Sequence, residues 1–127
     1  MTSNGAAGAP RPYILAETNW KAVADTRFEV AVLPWGATEA HNYHLPYATD
    51  VIQCDHVAAE SARLAWSRGA RVVVLPTVPF GVQTGQLDIP FCLNVNPTTQ
   101  LALRANWWNS ADRLAGAIDQ VGDRGTW

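Results

Sequence analysis

The sequence predicts an α/β fold with a mainly parallel sheet. Two short apolar runs, at residues 28–33 and 71–75, are typical of strands that are covered on both faces. Between them lies a stretch with helical periodicity, which begins at an Asp and is followed by a Gly. A strand, a helix and a second strand in this order form a βαβ unit, so we expect parallel strands joined by a right-handed crossover.

The first part of the chain predicts a helix, a strand and a loop in that order. Residues 15–25 carry apolar side chains at intervals of three and four, which predicts a helix. The run 28–33 is the first predicted strand. Residues 36–49 are expected to form a loop because Pro, Gly and Asn recur in and next to them. The apolar positions of the first helix are Ala16, Trp20 and Val23.

The crossover helix is predicted from Asp50 to about Arg68. Asp50 is a favourable N-cap, and Gly69 stands where a helix C-terminus favours glycine. The second strand, residues 71–75, follows after one further residue. The apolar stripe of this helix comprises Val51, Cys54, Ala58, Ala62 and Ala65.

The last part of the chain predicts a loop over residues 76–90, a candidate edge strand at 91–95, and a helix. Asn96 is suited to cap this helix, Pro97 to occupy its first position, and it is expected to extend to about residue 121. Two or three strands are few for an independent domain, so we expect the fold to be incomplete at its C-terminal end. The stripe of this helix comprises Leu101, Ala105, Trp108, Ala111, Ala115 and Ile118.

Composition limits the protein to a globular class. The chain has 127 residues, 48% of them apolar, and its net charge of −2 offers no electrostatic footprint for nucleic acid. No segment approaches the roughly 18 apolar residues of a membrane span, and the N-terminus lacks the features of a signal peptide. We therefore expect a cytoplasmic protein with a disordered lead at residues 1–12 and one domain over residues 13–127. Cys54 and Cys92 are expected to be buried free thiols rather than a disulfide.

Residues 33–50, LPWGATEAHNYHLPYATD, concentrate potential metal ligands directly after the first predicted strand. Glu39 and His41 are two positions apart, so in an extended segment both side chains point to the same side. Asp50 can join them only if the loop folds back. Two residues of this stretch also have simpler explanations: Asp50 as a helix cap, and His44 as a loop histidine bonded to backbone.

The same stretch resembles the motif of the creatininase (creatinine amidohydrolase) family, LPxGSxEQHGxHLPxxTD. Residues 74–81, VLPTVPFG, are similar to the second conserved strand of that family and its Pro-x-x-Pro-Tyr-Gly turn, and residues 18–20 fit its opening helix. The resemblance covers roughly residues 13–125. The first motif matches at Leu33, Pro34, Gly36, Glu39, His41, His44, Leu45, Pro46, Thr49 and Asp50.

The resemblance implies a three-layer α/β/α fold and a centre with two divalent ions (Zn, Mn or Fe) that hydrolyses an amide C–N bond, cyclic or formyl in many members. By motif, Asp50 would bridge both ions, Glu39 would complete the ligands of one and His41 those of the other. His44 is a candidate proton donor to the leaving nitrogen, and it could equally orient Glu39 or His41. The implied substrate is a small amide.

The sequence also departs from the family pattern. Asn42 and Tyr43 replace the usual Gly-Pro, and residues 81–90 replace a stretch that often contains Glu-His and Phe-Pro-Gly-Thr. Creatinine itself is therefore an unfavoured substrate. The later Asn-Gly-His motif, a source of further metal ligands, is absent from this sequence, which suggests truncation after the N-terminal half. The alternative function is a non-catalytic remnant or interaction domain, and an open sheet edge predicts self-association into a homo-oligomer.

Overall fold

The computed structural model describes residues 8–115, and within them a βαβ unit is the centre of the fold. No helix among these residues combines the length and the apolar character that crossing a bilayer requires. Two single 3₁₀ turns, at Leu15–Glu17 and Thr84–Gln86, lie outside the regular helices. The regular elements are α1 (Trp20–Ala24), β1 (Val30–Val32), α2 (Thr49–Ser67), β2 (Val72–Val74) and α3 (Pro97–Ala115).

The two strands pair in parallel, as the βαβ pattern predicts. Val30 lies opposite Val72 and Val32 opposite Val74, so the register spans the whole of both short strands. The other edge of β2 is bonded as well, because the amide of Val74 donates to the carbonyl of Tyr13 at 2.8 Å. The strand predictions are therefore confirmed at their centres, although both regular strands are shorter than the apolar runs.

The crossover helix α2 begins one residue before its predicted start, and Asp50 is not its N-cap. Ala48 occupies the cap position, and Thr49 donates from both its amide and its hydroxyl to the carbonyl of Pro46, at 3.1 and 2.6 Å. The turn at Pro46 thus starts the helix, and the carboxylate of Asp50 stays available in the first turn. Gly69, with φ 93°, follows the C-cap as predicted.

The core lies between α2 and β2. Ala58 and Ala62 of the predicted stripe are buried, and they pack with Val72, Val74 and Tyr13. The indole ring of Trp66 closes one end of this cluster, with its centroid 6.1 Å from the ring of Tyr13 and 6.3 Å from that of Phe28. Small alanines on the helix allow it to approach the valines of β2 closely, which fixes the position of the α2 N-terminus over the sheet.

The continuous helix predicted over residues 15–25 is wrong. The chain forms the 3₁₀ turn at Leu15–Glu17, becomes extended at Thr18, and restarts as α1. A local contact starts the new helix: the side chain of Asn19 accepts a hydrogen bond from the amide of Ala22 at 3.0 Å and so caps α1. Trp20, assigned to the apolar stripe, is 89% exposed.

The candidate edge strand at residues 91–95 is also wrong. Phe91 adopts a left-handed conformation with φ 63°, which interrupts an extended run, and only an isolated bridge joins Gly81 to Asn94. The third helix α3 begins at Pro97 as predicted, but its predicted end near residue 121 lies outside the described residues. Of its predicted stripe, Leu101 is 64% exposed and Trp108 39% exposed.

Two further expectations concern the cysteines and the N-terminal lead. Cys54 and Cys92 are both free thiols, as predicted, but they are half-buried rather than buried. Of the predicted lead, residues 1–7 lie outside the described part. Within the remainder, the guanidinium of Arg11 forms an ion pair with Glu17.

Candidate metal centre

The segments that follow β1 and β2 continue to pair beyond the ends of the strands. This pairing positions the loop that follows β1. The amide of Gly36 donates to the carbonyl of Val78 at 2.8 Å, and the amide of Val78 donates to the carbonyl of Pro34 at 3.0 Å. Val78 is 1% exposed. The beginning of the 33–50 loop is therefore attached to the buried chain that leaves β2.

Gly36 brings this loop directly against the N-terminus of α2. A Cβ atom at Gly36 would lie 2.9 Å from both the Cα and the N of Val51, so the two backbones are in contact with no room for a side chain. Val51 directly follows Asp50. The close approach therefore places the first turn of α2, and with it the carboxylate of Asp50, beside the loop.

Glu39, His41 and Asp50 converge at this point, at the end of β1. One ligand atom from each residue lies within 4.8 Å of the other two. The Nε2 of His41 is 3.4 Å from a carboxylate oxygen of Asp50. The amide of Glu39 donates to the carbonyl of Tyr47 at 3.3 Å, a contact that joins the two arms of the loop.

The electrostatics of this group are set by two carboxyl groups placed beside one imidazole ring. Burial raises the pKa of the Glu39 carboxyl, and the neighbouring Asp50 raises it further through hydrogen bonding and like charge, whereas His41 opposes the increase. The Nε2 of His41 is buried and makes no hydrogen bond, although a carboxylate oxygen of Asp50 lies 3.4 Å away. A buried ring nitrogen without a partner, next to two carboxyl groups, is an unfavourable arrangement that a bound cation would relieve.

The donor set fits a divalent transition metal. Zinc bonds to carboxylate and imidazole ligands are about 2.0–2.2 Å long, so ligand atoms around one ion lie at most about 4.4 Å apart. The donor atoms of the observed group lie within 4.8 Å of one another, a spread close to that of ligands on one ion. Carboxylate with imidazole suits Zn, Mn or Fe.

The remainder of the loop is exposed. His44 lies on the solvent-exposed part of the loop, between His41 and Asp50 in the sequence, and Tyr43 is fully exposed. Asn42 has φ 58°, a left-handed conformation that Asn tolerates better than most residues. This conformation explains how Asn can stand where the family motif has Gly.

Sequence reasoning missed a set of residues that hold the loop from outside. Gln83 is 6% exposed, and its side-chain amide donates to the carbonyl of Thr38 at 3.2 Å. The thiol of Cys92 accepts a hydrogen bond from the amide of Ala40 at 3.2 Å. No periodicity or motif links these residues to the loop, since the contacts are with backbone groups that any sequence supplies.

Comparison with known proteins identifies the family. The family model described as creatininase, creatinine amidohydrolase, matches residues 16–114. A protein described as a creatinine amidohydrolase from Bacteroides fragilis is 40% identical, with a TM-score of 0.73, over 80% of this chain and 41% of that chain. A comparison with curated proteins finds no match.

Two mutant creatininases are more distant neighbours. One, complexed with creatine, is 24% identical with a TM-score of 0.66, over 82% of this chain and 41% of that chain. The other, of Zn-Zn type, is 24% identical with a TM-score of 0.66, over 84% and 42%. The chain thus spans less than half the length of these structures, and the likeness confirms the α/β fold that the sequence predicts.

Proposed function

The chain belongs to the creatininase (creatinine amidohydrolase) family, and on that premise we propose that it forms part of a metal-dependent amidohydrolase. The observation that carries the proposal is the convergence of Glu39, His41 and Asp50, whose donor atoms lie within 4.8 Å of one another. The family supplies the reaction class, hydrolysis of an amide C–N bond. The geometry supports these three residues as the metal ligands.

We assign Asp50 to both ions of a two-metal centre, Glu39 to one and His41 to the other. A carboxylate has two oxygens and can bridge, and Asp50 is the member of the group whose contact with His41 is seen directly, at 3.4 Å. His41 would ligate through Nε2, which requires the neutral ring with its proton on Nδ1. The chemistry supplied by bound divalent ions is polarisation of the amide carbonyl and acidification of a water molecule.

His44 is the proposed proton donor to the leaving nitrogen. It lies on the same loop as Glu39 and His41, and its exposure allows it to exchange protons with solvent. The alternative role is orientation of one of these two neighbours. A pH profile of the rate that loses one limb in His44→Gln would support proton transfer, whereas an unchanged profile with weaker metal binding would support orientation.

The proposed substrate is a small amide. A mutant creatininase that shares the fold is complexed with creatine, which is in keeping with a small-molecule substrate. Creatinine itself is disfavoured because Asn42, Tyr43 and residues 81–90 depart from the family pattern beside the site. We propose an amide of different shape, of the cyclic or formyl kind.

The direct test is metal binding by the 127-residue chain, by one variant at each of the three proposed ligands, and by one control variant. Three protein ligands among residues 8–115, shared by two ions, leave most coordination positions to water, so we expect weak binding of Zn²⁺ or Mn²⁺ by the parent. Asp50→Asn should weaken binding more than either Glu39→Gln or His41→Gln, because it removes a charge from both ions. Asp55→Asn is the control: Asp55 lies on the same helix, and its carboxylate accepts from the Thr77 hydroxyl at 3.0 Å, away from the group.

Isothermal titration and metal content by mass spectrometry give the readouts. Binding by the Asp55→Asn control should match that of the parent. If Asp50→Asn binds metal as well as the parent does, the bridging role is wrong. If the parent binds no divalent ion at all, the metal-dependent function of this chain is wrong, and the alternative of a non-catalytic interaction domain is favoured.

A further inference from the structure

The segment that follows β2 forms hydrogen bonds with the 33–50 loop at Thr38, the residue before Glu39. The carbonyl of Thr38 accepts two hydrogen bonds, from the amide of Leu93 at 2.9 Å and from the side chain of Gln83 at 3.2 Å. The Thr38 hydroxyl donates to the carbonyl of Pro79 at 2.7 Å. The position of Thr38 is therefore set by a segment more than forty positions later in the sequence.

Cys92 makes the corresponding contact on the other side of Glu39. The amide of Ala40 donates to the sulfur of Cys92 at 3.2 Å, and the Cys92 thiol donates to the side-chain oxygen of Gln86 at 3.3 Å. The sulfur is thus both an acceptor and a donor, which orients its lone pairs toward Ala40. Ala40 is the residue between two of the proposed ligands, Glu39 and His41.

We propose that Cys92 is a positioning residue for the metal centre: its thiol holds the Ala40 amide and so fixes the spacing of Glu39 and His41. This inference rests on the proposed function of the site. Comparison with the neighbouring Glu39 amide shows what the Cys92 contact adds. The amide of Glu39 has a long bond, 3.3 Å, to a carbonyl within the same exposed loop, whereas the Ala40 amide is bound by a half-buried thiol on a separate segment of the chain.

Three variants separate positioning from packing. Cys92→Ala removes the acceptor, and Cys92→Ser restores one with a shorter bond to Cβ. Cys54→Ala is the matched control, because Cys54 is also a half-buried free thiol, and the bond that it donates to the carbonyl of Trp35, at 3.2 Å, meets the loop four residues before Glu39. Mn²⁺ alone is the probe, since thiolates select softer ions and would confuse a zinc titration.

The first readout is independent of metal. Hydrogen exchange by NMR on the metal-free chain should show faster exchange at the Ala40 amide in Cys92→Ala, with recovery in Cys92→Ser and no change in Cys54→Ala. The second readout is the Mn²⁺ dissociation constant. We expect it to rise about two- to tenfold in Cys92→Ala, the range for loss of one modest hydrogen bond, to recover in Cys92→Ser, and to stay within twofold in Cys54→Ala.

The outcomes distinguish a failure of the positioning role of Cys92 from a failure of the proposed metal-dependent function. Unchanged Ala40 exchange in Cys92→Ala overturns the positioning role, whatever the metal affinity. Equal losses of Mn²⁺ affinity in Cys92→Ala and Cys54→Ala also overturn it, because they show a general effect of cavities. A parent chain that binds no Mn²⁺ contradicts the proposed function, and the exchange at Ala40 then decides whether the contact itself exists.

Discussion

Gly36→Ala tests whether the candidate centre depends on the contact between the loop and α2. The added Cβ would meet the Cα and N of Val51 at 2.9 Å and its Cγ2 at 3.0 Å. Carbon atoms in contact prefer about 3.5–4.0 Å, so the backbones must separate by about 0.6 Å or more. Overpacking of this kind costs about 1–3 kcal/mol. Because Val51 follows Asp50, the same displacement moves a proposed ligand by more than the roughly 0.2 Å that metal bond lengths tolerate.

Two measurements follow from this geometry. Urea unfolding should show a lower midpoint for Gly36→Ala with an unchanged slope, and Mn²⁺ affinity should fall by about tenfold or more. Gly85→Ala is the control, because a Cβ there meets no atom within 4 Å, and its stability should equal or exceed that of the parent. If Gly36→Ala unfolds at the same urea concentration as Gly85→Ala, the close approach is not required and the reasoning fails.

Three further predictions concern conformation and charge. Phe91→Gly should be more stable than Phe91→Ala by about 0.5–1 kcal/mol in urea unfolding, because both lose the ring but only Gly relieves the positive φ of 63°; equal midpoints would contradict this. In the metal-free chain the pKa of Glu39 is raised by folding, so its ionisation disfavours the folded state. Glu39→Gln should therefore become more stable relative to the parent as pH rises above 4.5. A difference in unfolding free energy between the two that stays constant across the acidic range would count against this. Arg11 lowers the pKa of Glu17 to about 2, so stability from this pair should be lost as pH falls from 4.5 toward about 2, and Glu17→Gln should reduce that acid loss in thermal unfolding.

The βαβ unit could be predicted because its signals are local and agree with one another. Apolar runs, the Gly69 stop and the alanine stripe of α2 all favour the same arrangement. The first helix could not be predicted from periodicity alone. Residues 15–25 have the correct spacing, but Asn19 supplies a cap that starts a second helix, and a cap outweighs spacing in so short a segment.

The convergence of Glu39, His41 and Asp50 could be anticipated because all three lie within one short stretch of the sequence. The error concerned Asp50, for which a favourable capping residue suggested a cap. The turn at Pro46 and the hydroxyl of Thr49 begin the helix earlier, and the carboxylate is left facing the loop. A residue type with two favourable uses is not assigned by propensity, but by the backbone around it.

The contacts that hold the loop are made to its backbone atoms, and this explains why the sequence did not predict them. Thr38 and Ala40 are bound through backbone atoms, so the residues that bind them, Gln83 and Cys92, are constrained by position and hydrogen-bonding capacity rather than by a motif. The segment after β2 is also where the sequence departs from the family pattern. Because it contacts the loop between the proposed ligands, substitutions there can alter the geometry of the centre while Glu39, His41 and Asp50 stay the same. Divergence of this segment is therefore expected to change metal affinity and substrate shape before it changes the ligands themselves.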